Sequence, residues 1–402
     1  MTVTIKPSRP VGSVSAPPSK SMAHRLLLCA GLSSGLSWIT GIDPSEDIAA
    51  TLDCLVTLGA KVDLSGNVAM IVGCDPASAG GVALPCRESG STLRFFLPLC
   101  LLSGRENTLS GNPSLLARPL SVYENLAEER GFLLKKEKNA VRVAGKLTPG
   151  EYLIPGNVSS QFISGLLFAL PLLPGDSTIR LLPPLESRSY LDLTLSALSA
   201  FGVRAEWRDA LTLFVPGRQT YAASSQTVEG DWSNAAPFLA LGVPVEGLNP
   251  NSLQGDRKIV AYLAALEKHP STLDLSDCPD LAPVLFAYAA LRHGGRFTGT
   301  KRLAIKECDR GEAMKEELAK CGVTVGIGDN EITVGGDAKP PVSDFSGHND
   351  HRIVMATAVL AASLGGRITG AEAVRKSYPG FFTDLMKIQI KVEIKDGMDL
   401  KQ

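Results

Sequence analysis

Six apolar stretches, each closing on a glycine, recur along this chain at a nearly constant interval. They read SKSMAHRLLLCAGLSSG, SGSTLRFFLPLCLLSG, SSQFISGLLFALPLLPG, WSNAAPFLALGVPVEG, PDLAPVLFAYAALRHGG and NDHRIVMATAVLAASLGG. Their closing glycines, Gly35, Gly104, Gly175, Gly247, Gly295 and Gly366, are separated by 69, 71, 72, 48 and 71 residues. A second series, of amphipathic helices ending in a turn, keeps the same rhythm. In it Gly59, Gly131 and Gly202 lie 72 and 71 apart, and Gln389 follows Gly322 by 67. Two independent markers thus predict six units of about 70 residues, one of them shortened.

Within a unit the pattern predicts a helix, a strand, a loop, a second helix and then two short strands, as in AVRVAG and EITVGG. The first helix is apolar nearly all round, which requires burial on every side, whereas the second carries one apolar face. Helices inside and sheets outside satisfy both patterns. Six units exceed one domain, so two domains of three are expected. The opening strand VTIKP precedes the first unit and has no neighbour there, so it is expected to join the second domain. The expectation is an α/β fold of two inside-out domains, residues 20–228 and residues 1–19 plus 229–402. The chain would cross between them twice, and the active site would lie in the cleft between them.

Composition narrows the partners. The 402 residues are 44% hydrophobic, with 40 Lys plus Arg against 41 Asp plus Glu, so no global field draws the protein to nucleic acid or to an anionic membrane. The longest apolar runs are broken by prolines such as Pro171, short of a membrane span. The eight cysteines (29, 54, 74, 86, 100, 278, 308 and 321) form no C-x-x-C pair, which suits free thiols in a reducing compartment. A cytoplasmic enzyme is the expectation.

The chemistry gathers just before the buried helices. These entrances carry Ser19, Lys20, Ser21 and Arg25; Glu88, Ser89, Gly90, Ser91 and Arg94; and Ser159, Ser160 and Gln161. The later three carry Asp231 with Ser233, then Asp280, then Asn349, Asp350, His351 and Arg352. Helix N-termini favour anions, and Ser or Gly lets an anion approach; simple capping is the plainer reading of any single copy. Several copies that also carry Lys or Arg shift the balance toward ligands. The loops before the second helices add Arg118, Ser187, Arg188, Arg257, Lys306, Glu307, Arg310 and Lys376. Such a set suits small ligands bearing several phosphate or carboxylate groups. No P-loop is present, and His348 and His351 in HNDH lack a third ligand of the usual spacing, so no metal is expected.

PPSKSMAHR, ESGSTLR, ARPL, GNVSSQF, SRSYLD, GDWSNAA, CPDLAP, IKECDR, NDHR and KSYPGF stand in order along nearly the whole chain. Together they resemble the 3-phosphoshikimate 1-carboxyvinyltransferase (EPSP synthase) family of enolpyruvyl transferases. The resemblance implies the enolpyruvyl transferase fold, six repeats in two domains. It also implies transfer of the enolpyruvyl group of phosphoenolpyruvate to the 5-hydroxyl of shikimate 3-phosphate, by addition and elimination, with no cofactor. By the same resemblance, shikimate 3-phosphate would meet Lys20, Ser21, Arg25, Ser159, Ser160, Gln161, Ser187, Asp280 and Lys306. Phosphoenolpyruvate would meet Lys20, Gly90, Arg118, Gln161, Arg310, Arg352 and Lys376. Asp280 would take the 5-hydroxyl proton, and Glu307, with Lys20, would handle the proton at the methylene carbon.

From the residues alone, Asp280 could instead cap its helix, and Glu307 could pair with Lys306 or Arg310 on the surface. Glu88 stands where many members have asparagine and Phe95 where some have proline, which bears on the inhibitor glyphosate; Gly90 is retained. A UDP-N-acetylglucosamine enolpyruvyl transferase is disfavoured because GNPSLLARP lacks that family's loop cysteine. A non-catalytic phospho-metabolite sensor would need the anion sites but not Asp280, Glu307 and Lys20 together. A monomer is expected.

Overall fold

In the strand Thr2–Lys6, Val3 and Ile5 turn inward while their neighbours stay accessible, the period-two pattern of a half-buried strand. The computed structural model, which describes residues 1–395, pairs this strand antiparallel with Gly366–Thr369 on one side and Lys391–Lys395 on the other. Val3 lies opposite both Ile368 and Ile394. Residues 396–402, which the expected second domain includes, lie outside the described residues.

The chain divides into two compact units: Met1–Pro17 with the segment from Gly230 onward, and Pro18–Glu229. Each has its own apolar core. Among the described residues, five four-stranded sheets share one plan. In three of them, the strand that leads into a buried helix runs parallel to the strand that leaves it, and an antiparallel hairpin completes the sheet. The other two borrow a strand from far along the chain. Ser225–Thr227 lies beside Leu36–Thr40 in one, and Thr2–Lys6 takes a central place in the other.

The shortened unit departs from the expected helix-strand-helix-hairpin order. Its helices, Trp232–Ala240 and Ile259–Lys268, are present. Of strand there is only Val245–Glu246, paired parallel with Val14–Ser15. The 48-residue interval leaves no chain for the hairpin.

The two helix classes bury as the pattern requires. In Ala282–Ala290 every residue is buried; in Gly90–Cys100 only Ser91 is not, and in Ser160–Ala169 only Gln161 is not. Those two exceptions sit at helix entrances and bear polar side chains. The Gly90 and Ser160 helices approach so closely that a Cβ on Gly165 would lie 2.3 Å from the Arg94 carbonyl oxygen and 2.4 Å from Tyr123 Oη. Tyr123 Oη donates to the carbonyls of Arg94 and Phe162 at 2.7 and 3.0 Å, and so locks the two helix starts together. No helix among the described residues is long and apolar enough to cross a membrane.

Candidate active site

Most entrances are capped, and in all but one of the capped entrances the cap is not the residue expected to meet a ligand. Ser19, Ser89, Ser159, Asp231 and Asp350 each accept a backbone N–H from the first turn of the helix that follows. Ser159 alone is both cap and ligand candidate. Asp280 is not a cap at all: it sits inside the one-turn 3-10 helix Pro279–Leu281, which precedes Ala282–Ala290, and its carboxylate turns toward cations. The capping alternative for Asp280 therefore fails.

In the unit Pro18–Glu229, three side chains converge on Gly90. A Cβ added there would stand 2.9 Å from Arg118 Nη1, 3.1 Å from Arg94 Nη1 and 3.7 Å from Gln161 Oε1. Gln161 is fixed at both ends, its Oε1 accepting from Arg94 Nη1 at 2.6 Å and its Nε2 donating to Ser91 Oγ at 2.9 Å. Lys20, one residue past its cap, donates to Asp47 Oδ2 at 2.8 Å. A buried chain of hydroxyls braces the starts of these helices. His24 Nδ1 meets Thr51 Oγ1, Thr51 meets Thr92, and Thr92 donates to Ser89 Oγ, at 2.8, 2.8 and 2.7 Å. Burial, then the charges of Lys20 and Arg25, hold the His24 pKa well below its ordinary value, so the ring stays neutral.

Arg25 is fully enclosed. It reaches the helices Ser160–Ala169 and Arg188–Ala200 through Ser164, Thr194 and the Tyr190 carbonyl, and it also donates to the Ser21 carbonyl. Burial pulls its pKa down to about 10, against opposing effects from Tyr190 and Cys29. Ser187, at φ 56° and buried, begins the Arg188–Ala200 helix in the left-handed region. Two cations of the expected set face elsewhere. Arg188 lies over the Trp207 ring at 4.2 Å, and Arg257 is exposed and donates to the Pro250 carbonyl.

In the other unit the central group is Arg310, whose side chain is 1% exposed. Nε donates to Asp350 Oδ2 at 2.8 Å, Nη1 to Asp280 Oδ1 at 2.7 Å and Nη2 to Glu307 Oε2 at 2.8 Å. Glu307 does pair with Arg310, but inside the cluster and not on the surface, with 18% of its side chain exposed. Lys306 Nζ adds a contact to Asp280 Oδ1 at 3.2 Å, and Arg352 Nη2 lies 3.9 Å from Asp280 Oδ2. Burial alone would raise the Asp280 pKa. Lys306, Arg310 and Arg352 together outweigh it and hold the carboxyl well below the usual range. An anion received by Arg310 and Arg352 would compete for the same cations and make Asp280 a stronger base.

Arg352 is held by the shortened unit: Nη1 donates to Asn234 Oδ1 at 2.9 Å and Nη2 to Ser233 Oγ at 2.6 Å. Asn234 also donates to the Ser377 carbonyl at 3.2 Å, next to Lys376, whose Nζ donates to the Asn349 carbonyl at 2.8 Å. His348 accepts a structural task. Its Nε2 lies 2.7 Å from Glu317 Oε1, and Lys320 Nζ donates to both oxygens of that same buried carboxylate, which opposes a cation there. The supporting residues Asp47, Thr194 and Asn234 escaped the sequence reading. Each lies on a different segment from the group it holds, and no local pattern marks such a pairing.

A sequence profile described as EPSP synthase (3-phosphoshikimate 1-carboxyvinyltransferase) matches residues 5–269 and 263–385. A 3-phosphoshikimate 1-carboxyvinyltransferase from Clostridium kluyveri is 40% identical, covering 96% of this chain and 97% of its own length. One from Clostridium novyi is 37% identical over the same shares. Among solved structures, EPSP synthase from Acinetobacter baumannii superposes with a TM-score of 0.79 at 22% identity, covering 98% of this chain and all of its own. The enolpyruvyl transferase NikO from Streptomyces tendae does so at 0.76 and 16%, covering 98% of each. At those identities the structural matches establish the fold.

Proposed function

The chain belongs to the EPSP synthase family, and from that premise we infer which of its residues carry out the reaction. It is a transferase of the shikimate pathway that moves the enolpyruvyl group of phosphoenolpyruvate to shikimate 3-phosphate, toward aromatic amino acids. The observation that carries the assignment of roles is the sharing of Arg310 by Asp280 and Glu307. It places two carboxylates at one cation suited to an anionic substrate.

In the addition step, Asp280 takes the proton of the 5-hydroxyl as that oxygen attacks C-2 of phosphoenolpyruvate. Glu307, assisted by Lys20, delivers a proton to C-3, which becomes a methyl group in a tetrahedral intermediate. In elimination a methyl proton returns to Glu307, the C–O bond to phosphate breaks, and the leaving phosphate takes the proton held by Asp280. Each general acid or base of this kind contributes roughly 10²- to 10⁴-fold. Arg118, Arg310, Arg352 and Lys376, with Gly90 and Gln161, receive phosphoenolpyruvate. Ser21, Arg25, Ser159, Ser160 and Ser187 receive the phosphate of shikimate 3-phosphate, and Gln161, Asp280 and Lys306 its ring. One chain supplies every group named, which favours a monomer, and eight free cysteines favour the cytoplasm. Glyphosate would compete at the Gly90 group.

The test is phosphate release from phosphoenolpyruvate by the purified protein with and without shikimate 3-phosphate. Release only with both is expected; binding of both without release would make the protein a sensor. Asp280→Asn and Glu307→Gln should lower kcat far more than they raise either KM.

A further inference from the structure

Arg25 presents an unusual electrostatic situation. Its side chain lies in a residue only 2% exposed, and no carboxylate among the described residues forms an ion pair with it. Every hydrogen-bond acceptor it has is neutral. Nε donates to Thr194 Oγ1 at 2.8 Å, Nη1 to the Ser21 carbonyl at 2.7 Å, and Nη2 to the Tyr190 carbonyl at 3.0 Å and to Ser164 Oγ at 3.4 Å. The rings of Phe95 and Tyr190 lie 5.3 and 5.9 Å from the guanidinium carbon. A buried cation with no counter-charge is costly, so a group that supplies one binds with a gain the protein has left open.

The acceptors fix how that charge is offered. Four of the guanidinium N–H groups are engaged, which leaves one on Nη1. Thr194 Oγ1 accepts from Arg25 and lies 2.9 Å from the Tyr190 carbonyl, to which it can donate. Ser164 Oγ is 2.8 Å from Thr194 Oγ1, in a hydroxyl pair that either can donate across. Thr194 is thus the node at which the Lys20–Gly31, Ser160–Ala169 and Arg188–Ala200 helices meet the cation. A threonine that merely bonded back to the carbonyl four residues earlier would have no reason to receive an arginine.

We propose that Thr194 is a positioning residue for shikimate 3-phosphate: its hydroxyl, braced by Ser164, orients Arg25 so that the remaining N–H meets that substrate. This rests on the assignment of Arg25 to shikimate 3-phosphate given above. Removing the hydroxyl leaves the buried Arg25 Nε–H without its acceptor and Ser164 Oγ without its hydroxyl partner, and the guanidinium turns to find others.

The test uses the full chain with Thr194→Val, which keeps shape and loses the hydroxyl, Thr194→Ser, which restores it, and Arg25→Lys, which keeps charge and loses the fork. Initial rates of phosphate release are measured with each substrate varied in turn, beside thermal unfolding. Thr194→Val is expected to raise the KM for shikimate 3-phosphate roughly 10- to 100-fold, the loss of one charge-assisted hydrogen bond, with the KM for phosphoenolpyruvate within about twofold. Thr194→Ser should return close to the parent. A lowered Tm with an unchanged KM, or both KM values rising together, would show Thr194 to be structural only and overturn the proposal. If Arg25→Lys also leaves the KM for shikimate 3-phosphate unchanged, the assignment of Arg25 itself falls. If Arg25→Lys raises it and Thr194→Val does not, only the positioning role falls. Should Thr194→Val fail to fold, Ser164→Ala keeps the Nε acceptor and removes its brace, together with the long Nη2 contact at 3.4 Å. A selective rise of roughly threefold or more then supports the proposal, and no rise overturns it.

Discussion

Replacing Gly90 by alanine separates binding from folding at the tightest point of the group proposed to receive phosphoenolpyruvate. The new methyl would lie 2.9 Å from Arg118 Nη1 and 3.1 Å from Arg94 Nη1, against about 3.4 Å for ordinary contact. One guanidinium must withdraw by about 0.5 Å and the other by about 0.3 Å. Both obstacles are ends of flexible side chains and not backbone, so the helix itself need not move. Alanine also gains up to about 1 kcal/mol of helix propensity over glycine, which offsets the crowding. Stability should therefore stay within roughly 1 kcal/mol of the parent. Binding should not. A hydrogen bond to a charged group contributes about 1.5–3 kcal/mol, and losing about half of it raises the KM for phosphoenolpyruvate roughly 3- to 10-fold. The KM for shikimate 3-phosphate should stay within about twofold. The assay is initial-rate phosphate release with each substrate varied, beside thermal unfolding by circular dichroism. An unchanged KM for phosphoenolpyruvate would refute the reasoning, as would a collapse of Tm, since the first removes Arg118 from binding and the second makes Gly90 a folding residue.

Asp350→Asn keeps a competent helix cap but removes one of the three carboxylates around Arg310. Urea unfolding should show a loss of roughly 1–3 kcal/mol, with a further ~1 kcal/mol for Asp350→Ala, which also loses the cap. Equal stability of parent and Asp350→Asn would mean that Arg310 is adequately held by Asp280 and Glu307 alone. Burial would raise the Glu317 pKa, but hydrogen bonds from His348, Lys320 and the Ser346 N–H hold it below its ordinary value. A carboxyl depressed in the fold contributes stability that is fully present above its unfolded pKa, near 4.3, and is lost as pH falls through the folded value. The stability difference between the parent and Glu317→Gln should thus be greatest near neutrality and shrink below about pH 4; a difference that grows on acidification would reverse the sign assigned here. Asp47→Asn removes the anionic partner of Lys20, and kcat should fall if that pairing sets the position of the lysine during proton transfer.

The repeat, the two helix classes and the polar, capped helix entrances were legible in the sequence, because each is written in local periodicity. An all-apolar helix such as Ala282–Ala290 must be buried wherever the chain goes, and a Ser or Asp before it caps by contacts within one turn. The motifs from PPSKSMAHR to KSYPGF identified the family for a related reason, being short stretches whose residue types stand in fixed order.

What the sequence could not supply was which side chains hold which. Asp280 had an ordinary reading as a cap, and only the turn Pro279–Leu281 showed its carboxylate facing Lys306 and Arg310 instead. The reach of Arg25 across to Thr194, 169 residues away, depends on how three helices cross. So does the holding of Arg352 by Asn234, 118 residues before it. The missing hairpin of the shortened unit was hidden as well, since a shorter interval does not say which element was deleted. Periodicity reports whether a position is buried. It carries no information about its partner, because burial is set by the face a residue occupies on its own element, whereas pairing is set by the crossing of elements that only the packed core brings together.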